Sequence, residues 1–271
     1  MDPLTAGNTR VKEARKLSRR SVRSERRLFL ADGPKAVEGA LEAPDRVVEV
    51  FATPRAAEEY DALLAGVAVT LVEKRAMAGL SDSVTPAGVV AVCRFIDRPL
   101  DALMRTDHAV AQSRSGDHRL LAICADIRDP GNAGTVIRCA DAAGAAGVVL
   151  AGDSVDAYNP KTVRASVGSL FHLPFAVERD PAAAIRAAQA AGYQVLAADG
   201  RGELDLFESD DVLTRPTAWL FGNEAHGLPE GLTGLADGVV SIPILGRAES
   251  LNLATAAALC LYASARAMMR A

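Results

Sequence analysis

The fold is decided by WLFGNEAHGLP at residues 219–229 and VVSIPILGRAESLNLA at residues 239–254. In each stretch a short apolar strand runs into a loop that contains small and polar residues. The second loop leads into an Ala- and Leu-rich helix, which we predict from Leu253 to about Met268. Open α/β folds place their ligands where parallel strands deliver such loops to one edge of a sheet. The two stretches therefore predict a ligand site at such an edge.

A third segment, DIRDPGNAGTVIR at residues 126–138, also reads as a strand end, a loop and a helix start. It places Asn132 six residues before Arg138. From Leu120 onward, short apolar strands alternate with helices, which indicates a parallel sheet covered on both faces. The loop DPGNAG at residues 129–134 lacks the G-x-G-x-x-G spacing of dinucleotide-binding folds, so it does not indicate that class.

These three segments, in this order and at these separations, resemble the three motifs of the SpoU (TrmH-like) RNA ribose methyltransferases of the SPOUT class. The resemblance covers roughly residues 120–271, and RLFLADGP at residues 27–34 extends a weaker one to the small RNA-binding domain that often precedes it. It implies an α/β protein whose C-terminal parallel-sheet domain contains a deep trefoil knot, preceded by a small α/β sandwich. It also implies methylation of a ribose 2′-hydroxyl in structured RNA, with S-adenosylmethionine as cofactor and no metal.

The resemblance indicates which residues hold S-adenosylmethionine. Gly222 follows an apolar strand, where a glycine lets the backbone approach a flat ligand closely. Ile242 and Leu251 match family positions that line the pocket, although as single residues they read simply as core. The predicted cofactor-binding residues are Ala198, Gly200, Leu220, Gly222, Asn223, Ile242, Leu251 and Ala254.

The predicted catalytic residues are Asn132, Arg138, Glu224, Ser250, Asn252 and Arg164. In the family, the arginine that matches Arg138 is regarded as the group that activates the 2′-hydroxyl. A guanidinium has a pKa above ~12 and is a poor base. Arg138 therefore either loses its proton in a special site or orients the hydroxyl or a phosphate. Glu224 is expected to hold the geometry of an asparagine or arginine. The simpler reading of Asn132 and Asn252 is that each caps a helix.

The chain is expected to work as a homodimer through its C-terminal domain. Arg164 matches a family basic residue that is thought to reach the site of the neighbouring subunit. The helix from Leu253 to Met268 is apolar around much of its circumference, so more than one of its sides must be covered. A two-fold partner can cover one side. The alternative is a helix buried wholly within one subunit.

Charge is distributed unevenly. The formal net charge is −4, but residues 1–27 hold nine Lys or Arg and three acidic residues, a net of +6, which leaves −10 for the remainder. A basic arm on an acidic body is suited to contact phosphates. The alternative is a solvated helix face. We predict a basic arm at residues 1–27, a small RNA-binding domain at 28–96, a linker at 97–118 and the methyltransferase domain at 119–271.

Other features of the sequence indicate a cytoplasmic protein. The four cysteines form no C-x-x-C pair and read as buried free thiols in a reducing compartment. Neither a leader nor a membrane span is expected. The spacing of His172 and His226 fits no metal site.

The expected partner is structured RNA, neither DNA nor a membrane. The domain that precedes the methyltransferase motifs favours ribosomal RNA over transfer RNA. The expected target is 23S ribosomal RNA. Two alternatives remain: a non-catalytic RNA-binding assembly factor, and a SPOUT enzyme that methylates a base. Asn132 with Arg138, and the Ser-Leu-Asn order at residues 250–252, favour ribose chemistry.

Overall fold

The structure is a computed structural model and describes residues 2–110 and 119–270. Its strands are Leu28–Asp32 (β1), Val47–Ala52 (β2), Val69–Leu71 (β3), Val89–Arg94 (β4), Leu120–Ala125 (β5), Gly147–Ala151 (β6), Phe175–Glu178 (β7), Gln194–Ala198 (β8), Leu204–Asp205 (β9), Thr217–Phe221 (β10) and Gly238–Ser241 (β11). Its α-helices are Thr9–Arg15 (α1), Arg20–Arg26 (α2), Pro34–Leu41 (α3), Pro54–Glu59 (α4), Asp61–Leu64 (α5), Lys74–Leu80 (α6), Leu100–Val110 (α7), Pro130–Ala142 (α8), Pro160–Ser166 (α9), Ser169–His172 (α10), Pro181–Ala190 (α11), Asp210–Leu213 (α12), Glu230–Thr233 (α13) and Leu253–Met268 (α14). Short 3-10 turns cover Lys16–Ser18 and Pro44–Arg46.

The chain forms two compact units whose limits differ from the predicted ones. The first contains the residues up to Ile96 together with Asp156–His172, and the second contains Asp97–Val155 and the residues from Leu173 onward. The segment Asp156–His172 therefore packs with the N-terminal residues, although the sequence motifs assign it to the methyltransferase part. Long-range contacts hold it there: Arg23 of α2 makes an ion pair with Asp156, and the ring centroids of Phe29 and Tyr158 lie 4.6 Å apart.

The first unit is a small α/β domain, as expected. Its sheet has the order β1-β4-β2-β3, and only β2 and β3 run parallel. One face packs on the helices α1 and α6 through a core that includes Val11, Ala14, Phe51, Met77 and Val90. The domain therefore includes residues that we expected to form a separate arm.

Residues 9–26 are not one continuous basic helix. The helix α1 ends in a 3-10 turn, and Arg19 is extended before α2 begins. Leu17 is buried in the core at the break. The Arg23 guanidinium donates to the backbone carbonyls of Leu17 and Ser18 at 2.9 and 2.8 Å, and thereby satisfies groups that a continuous helix would pair internally.

The second unit is built on a seven-stranded parallel sheet, which confirms the predicted class of fold. Its strand order is β7-β6-β5-β10-β8-β11-β9, and every neighbouring pair is parallel. The two-residue edge strand β9 was not predicted, since it is too short to show a hydrophobic pattern. The trefoil knot stays a prediction.

The predicted linker is partly a helix of this unit. Leu103 and Met104 of α7 are buried in the core of the second unit beside residues of β5 and α11. The sequence predicts a helix fragment from Leu100 to Met104 followed by a linker, and in the structure the helix continues to Val110. The rest of the predicted linker, residues 111–118, lies outside the described residues.

The helix α14 is fixed to the centre of the sheet by a buried hydrogen bond. The indole Nε1 of Trp219, in β10, donates to the hydroxyl of Ser264 at 2.9 Å, and both residues are fully buried. A buried indole N–H needs such a partner. The contact places the start of α14, and the loop before it, beside the carboxyl ends of the central strands.

Candidate active site

An open cleft of about 230 Å³ lies in the second unit, where the loops after β8, β10 and β11 meet the start of α14. Because these strands are parallel, their carboxyl ends lie at the same edge of the sheet. Six of the predicted cofactor-binding residues line the cleft: Ala198, Gly200, Gly222, Asn223, Ile242 and Leu251. The structure thus brings residues from three separate loops to one concave surface.

The other two predicted cofactor-binding residues, Leu220 and Ala254, do not line the cleft. Successive strand side chains point to opposite faces, and Leu220 is buried in the apolar core while its neighbour Phe221 lines the cleft. Ala254 is buried inside α14, whereas Leu253 and Ala256 of the same helix line the cleft. The motifs identify the segments that border the cleft, but the side of each element that faces it was not visible in the sequence.

Gly222 is required by its own loop. A Cβ at this position would lie 2.6 Å from the backbone nitrogen of Leu228. The loop folds back here because the backbones of Asn223 and Gly227 exchange hydrogen bonds of 3.0 and 2.9 Å. The sequence indicated that this glycine lets the backbone approach a ligand. In the structure, the absence of a side chain lets the backbone at Gly222 pack against the backbone of Gly227 and Leu228.

A chain of hydrogen bonds joins the three sequence motifs. The amide Nδ2 of Asn132 donates to Glu224 Oε1 at 3.2 Å, and the amide Nδ2 of Asn252 donates to Asn132 Oδ1 at 3.0 Å. Glu224 itself lines the cleft. The expectation that Glu224 holds an asparagine therefore agrees with the structure, and Asn132 is oriented from both sides.

The Glu224 carboxylate also organises the loop between β5 and α8. Its two oxygens accept the backbone N–H groups of Arg128 and Asp129, each at 3.0 Å. Burial acts to raise the pKa of the Glu224 carboxyl, but these backbone hydrogen bonds, with the one from Asn132, lower the pKa below its ordinary value. Glu224 therefore acts as an ionised acceptor for three donors.

Helix caps account for part of the two asparagines' roles. Asp129, and not Asn132, caps α8, because its Oδ1 accepts the backbone N–H of Asn132 at 2.8 Å. Asn252 does cap α14: its Oδ1 accepts the N–H groups of Ala254 and Thr255. Since its Nδ2 still donates to Asn132, Asn252 is both a cap and a member of the polar chain.

The loop after β5 depends on a residue that the sequence did not single out. Asp126 adopts a left-handed conformation with φ of 57°, which is uncommon for a residue other than glycine. Its carbonyl accepts the amide of Asn223 at 2.8 Å, and its Oδ1 accepts the N–H of Asp153 at 2.8 Å. These contacts turn the chain so that the amides of Arg128 and Asp129 reach Glu224. Asparagine and aspartate tolerate this conformation best, which is the only sequence signal for it.

Ser250 and Arg138 lie near this network in different ways. Ser250 is exposed and lines the cleft. Arg138 is exposed on α8, two turns beyond the cap. Its side chain makes no hydrogen bond or ion pair within residues 2–110 and 119–270. The structure thus leaves its guanidinium available to a substrate.

Arg164 is not among the residues that line the cleft. It belongs to α9 in the first unit, where Nη1 lies 3.6 Å from Asp32 Oδ2 and Nη2 lies 3.7 Å from Asp82 Oδ2. Its Nη1 is buried without a hydrogen-bond partner. Burial raises the pKa of Asp32, although the hydroxyl of Ser81 and the charge of Arg164 act against that shift.

Several cleft residues escaped the sequence analysis, among them Asp199, Phe221 and Ala256. Asp199 lies between two predicted residues, and its pKa is lowered by the side-chain hydrogen bond from Arg201, whose Nε lies 3.1 Å away. An acidic residue at a strand end was the available signal. Ala256 follows Asn252 by one helical turn, so helical spacing alone would have placed it on the same face.

Within the part of the chain that the structure describes, no group of three or more His, Cys, Asp or Glu side chains could hold a metal ion. All four cysteines are free, and burial raises the pKa of Cys124, below the cleft, to about 12.

The depressed pKa of Glu224 gives a pH-dependent prediction. The ionised carboxylate stabilises the folded state above its unfolded pKa of about 4.3 and loses that effect as the pH falls through the folded value. Glu224→Gln should therefore lower the urea midpoint by a constant amount from about pH 6 to about pH 8, with the difference shrinking below about pH 4. Fluorescence of Trp219, the only tryptophan, reports unfolding of this unit. Exposed Glu208 serves as control; an equal response in Glu208→Gln would contradict the assignment.

Two family models match successive parts of the chain. The SpoU rRNA Methylase family model matches residues 119–262, and the MRM3-like substrate binding domain model matches residues 8–91. The second match begins within the N-terminal helices, in agreement with their packing in the first unit. Within the described residues, no helix is both long and apolar enough to cross a membrane.

Individual relatives match nearly the whole chain. The 23S rRNA (guanosine(2553)-2′-O)-methyltransferase RlmP of Bacillus subtilis is 33% identical over 261 residues, which cover 95% of this chain and 96% of the relative. The crystal structure of an AdoMet-bound rRNA methyltransferase from Sinorhizobium meliloti has a TM-score of 0.80 and 32% identity, and the match covers 98% of this chain and 97% of that one. The AdoMet complex of the SpoU methyltransferase AviRb from Streptomyces viridochromogenes has a TM-score of 0.81 and 32% identity, with 96% and 97% covered. The chain belongs to the SpoU rRNA methylase family.

Proposed function

We propose that this protein transfers a methyl group from S-adenosylmethionine to a ribose 2′-hydroxyl of 23S ribosomal RNA. The observation that carries the proposal is the chain Glu224–Asn132–Asn252, which joins the three motifs at the rim of one cleft. A relative that matches over nearly the full length, RlmP of Bacillus subtilis, bears 23S ribosomal RNA in its name, and related structures hold the cofactor. The free cysteines suit a reducing cytoplasm.

The direct test is to map 2′-O-methyl groups in total RNA from cells with and without this gene. One ribose of 23S ribosomal RNA should lose its methyl group without the gene and regain it when the gene is restored. A site lost from transfer RNA instead would favour that substrate. No change in any RNA would reject the proposal.

The cleft is suited to S-adenosylmethionine. Phe221, Ile242 and Leu251 supply apolar walls for the adenine and the aliphatic chain, and the Asp199 carboxylate is an acceptor suited to ribose hydroxyls. A Cβ at Gly200 would meet no atom within 4 Å, so this side of the cleft is open to a ligand. When bound, the cofactor supplies an electrophilic methyl group on its sulfonium.

The protein's own residues must align the 2′-oxygen with that methyl group and help remove the proton of the hydroxyl. Asn132 uses one amide N–H toward Glu224 and one lone pair toward Asn252, which leaves one N–H and one lone pair for the substrate. Arg138 lies on the same helix and is available to orient the hydroxyl or its phosphate, or to act as the base. Ser250 lines the cleft beside them.

The cofactor site is tested by filling the cleft at Gly200. Gly200→Val adds methyl groups where the protein offers no obstacle, so the fold should persist while the affinity for S-adenosylmethionine falls at least about tenfold, or about 1.4 kcal/mol. Calorimetry measures the affinity. Gly231→Val is the matched control, because Gly231 is equally unobstructed but lies outside the cleft. Unchanged affinity in Gly200→Val would remove this side of the cleft from the cofactor site.

Substitution of Arg138 separates the methyl-transfer step from cofactor binding. Arg138→Ala should slow single-turnover methyl transfer by about 100-fold or more, whereas cofactor affinity should stay within about twofold. Arg138→Lys separates the two roles, because a lysine that keeps the charge should retain more activity if Arg138 orients a phosphate. Arg186→Ala, at an exposed arginine of α11, is the control. A near-normal rate in Arg138→Ala would assign activation of the hydroxyl to another group.

We also propose that the protein is a homodimer and that Arg164 serves the partner's site. One side of α14 is covered within the chain, but Leu259 and Tyr262 remain 37% and 52% exposed on another. Apolar surface of this kind favours a two-fold contact. Among residues 2–110 and 119–270, two long ion pairs hold the Arg164 guanidinium, and its Nη1 lacks a hydrogen-bond partner there.

Subunit mixing tests the shared site. Arg164→Ala and Arg138→Ala chains should each be inactive alone, and mixed dimers should regain up to about half of the wild-type activity, because one complete site forms in two. Sedimentation verifies the dimer and the exchange of subunits. If exchange occurs and the mixture stays inactive, Arg164 does not act across the interface. A chain that sediments as a monomer would reject the dimer itself.

A further inference from the structure

The positive charges near the N-terminus fall into two groups once their partners are known. Several are committed to acidic side chains of the same unit: Arg10 pairs with Glu49, Lys16 and Arg26 pair with Glu13, and Arg23 pairs with Asp156. Lys12 and Arg15 of α1 are exposed. No hydrogen bond or ion pair joins the charged group of either side chain to a described residue. The net charge of residues 1–27 therefore overstates what is available to a partner.

The second helix beside α1 adds charges that the sequence did not connect with them. Lys74 and Arg75 open α6, are exposed, and likewise have no acidic partner among residues 2–110 and 119–270. The buried sides of α1 and α6 share one core, through Val11 and Ala14 on one helix and Ala76 and Met77 on the other. Their outer sides consequently form one surface, which we call the α1–α6 face and define by Lys12, Arg15, Lys74 and Arg75.

Arg15 crosses from one helix to the other. Its Cδ lies 3.2 Å from the position that a Cβ on Gly79 would take. Gly79 is inside α6, where a glycine costs about 1 kcal/mol relative to alanine. Because Arg75 and Gly79 are four residues apart, they lie on the same side of α6. The glycine thus makes room for Arg15 on the side of α6 that also carries Arg75.

We infer that the α1–α6 face binds the phosphate backbone of the RNA substrate. Gathering unpaired cations on one rigid surface opposes folding through their mutual repulsion, and an RNA strand, with one negative charge per nucleotide, removes that cost. Arg19 and Arg20 are also exposed, but no contact places them beside α6. The inference rests on the proposed function and adds to it the surface that holds the RNA.

The test removes the four charges without removing the helices. A variant with Lys12→Gln, Arg15→Gln, Lys74→Gln and Arg75→Gln keeps good helix formers at each position. A matched control carries Lys35→Gln, Arg46→Gln, Arg55→Gln and Arg105→Gln, which loses the same charge from cations that are ion-paired on other elements. Both are compared with the wild type for binding to 23S ribosomal RNA transcribed in vitro, over a range of salt concentrations.

Each lost phosphate contact lowers the slope of log affinity against log salt by about 0.7 to 0.9. The face variant should therefore lose about 3 from the slope and at least about tenfold in affinity, while the control stays near the wild type. Affinity for S-adenosylmethionine, measured by calorimetry, should be equal in all three. A slope equal to that of the wild type, or an equal loss in both variants, would overturn the inference.

Two further measurements keep the outcome decisive. If the fourfold variant does not fold, the pair Lys12→Gln with Arg15→Gln and the pair Lys74→Gln with Arg75→Gln must each give about half of the change. Methyl transfer by the wild type separates the two hypotheses. Transfer with an unchanged slope in the variants rejects only the α1–α6 face, whereas a wild type that neither binds nor methylates RNA rejects the proposed function and the face together.

Discussion

The site depends on one carboxylate with three donors. Glu224 follows β10, receives two backbone amides from the loop after β5, and receives the amide of Asn132 from α8. An ionised acceptor in this position is worth more than a neutral one, because charge-assisted hydrogen bonds are about twice as strong. Without it, the loop would lose two backbone hydrogen bonds and Asn132 would lose one of the two side chains that orient it. The other members of the site, including Asn252 at the start of α14, are arranged around an asparagine that is already held.

Much of the fold could be predicted from the sequence, because apolar strands of a covered parallel sheet leave a clear pattern. The segments that build the site were also identifiable, since Gly222, Glu224 and Asn252 each follow or precede such an element. Side-chain direction was less accessible. Leu220 and Phe221 are adjacent and both apolar, yet only the second lines the cleft. Asp126 was missed because its role lies in its backbone conformation, which cannot be inferred from a single aspartate in the sequence.

The N-terminal region shows why a run of charges is hard to interpret before its neighbours are known. In sequence, residues 1–27 are a basic segment with a few apolar residues. In the structure, Val11, Ala14 and Leu17 anchor it in a core, and Arg23 is only 3% exposed. Periodicity contained that information, but the spread of charges around the helix obscured it. Pairing with acids more than a hundred residues away, as between Arg23 and Asp156, cannot be inferred from local pattern.

The hydrogen bond between Asn252 and Asn132 joins residues separated by 120 positions. During synthesis the strand and helix of the first motif leave the ribosome well before the segment that completes their arrangement. Domains generally fold as units once enough of the chain has emerged. The growing polypeptide therefore carries Asn132 for an interval without one of the groups that orients it. A competent active site exists only after α14 has been made and docked, so a chain that ends between Ser241 and residue 252 contains every strand of the sheet but no assembled site.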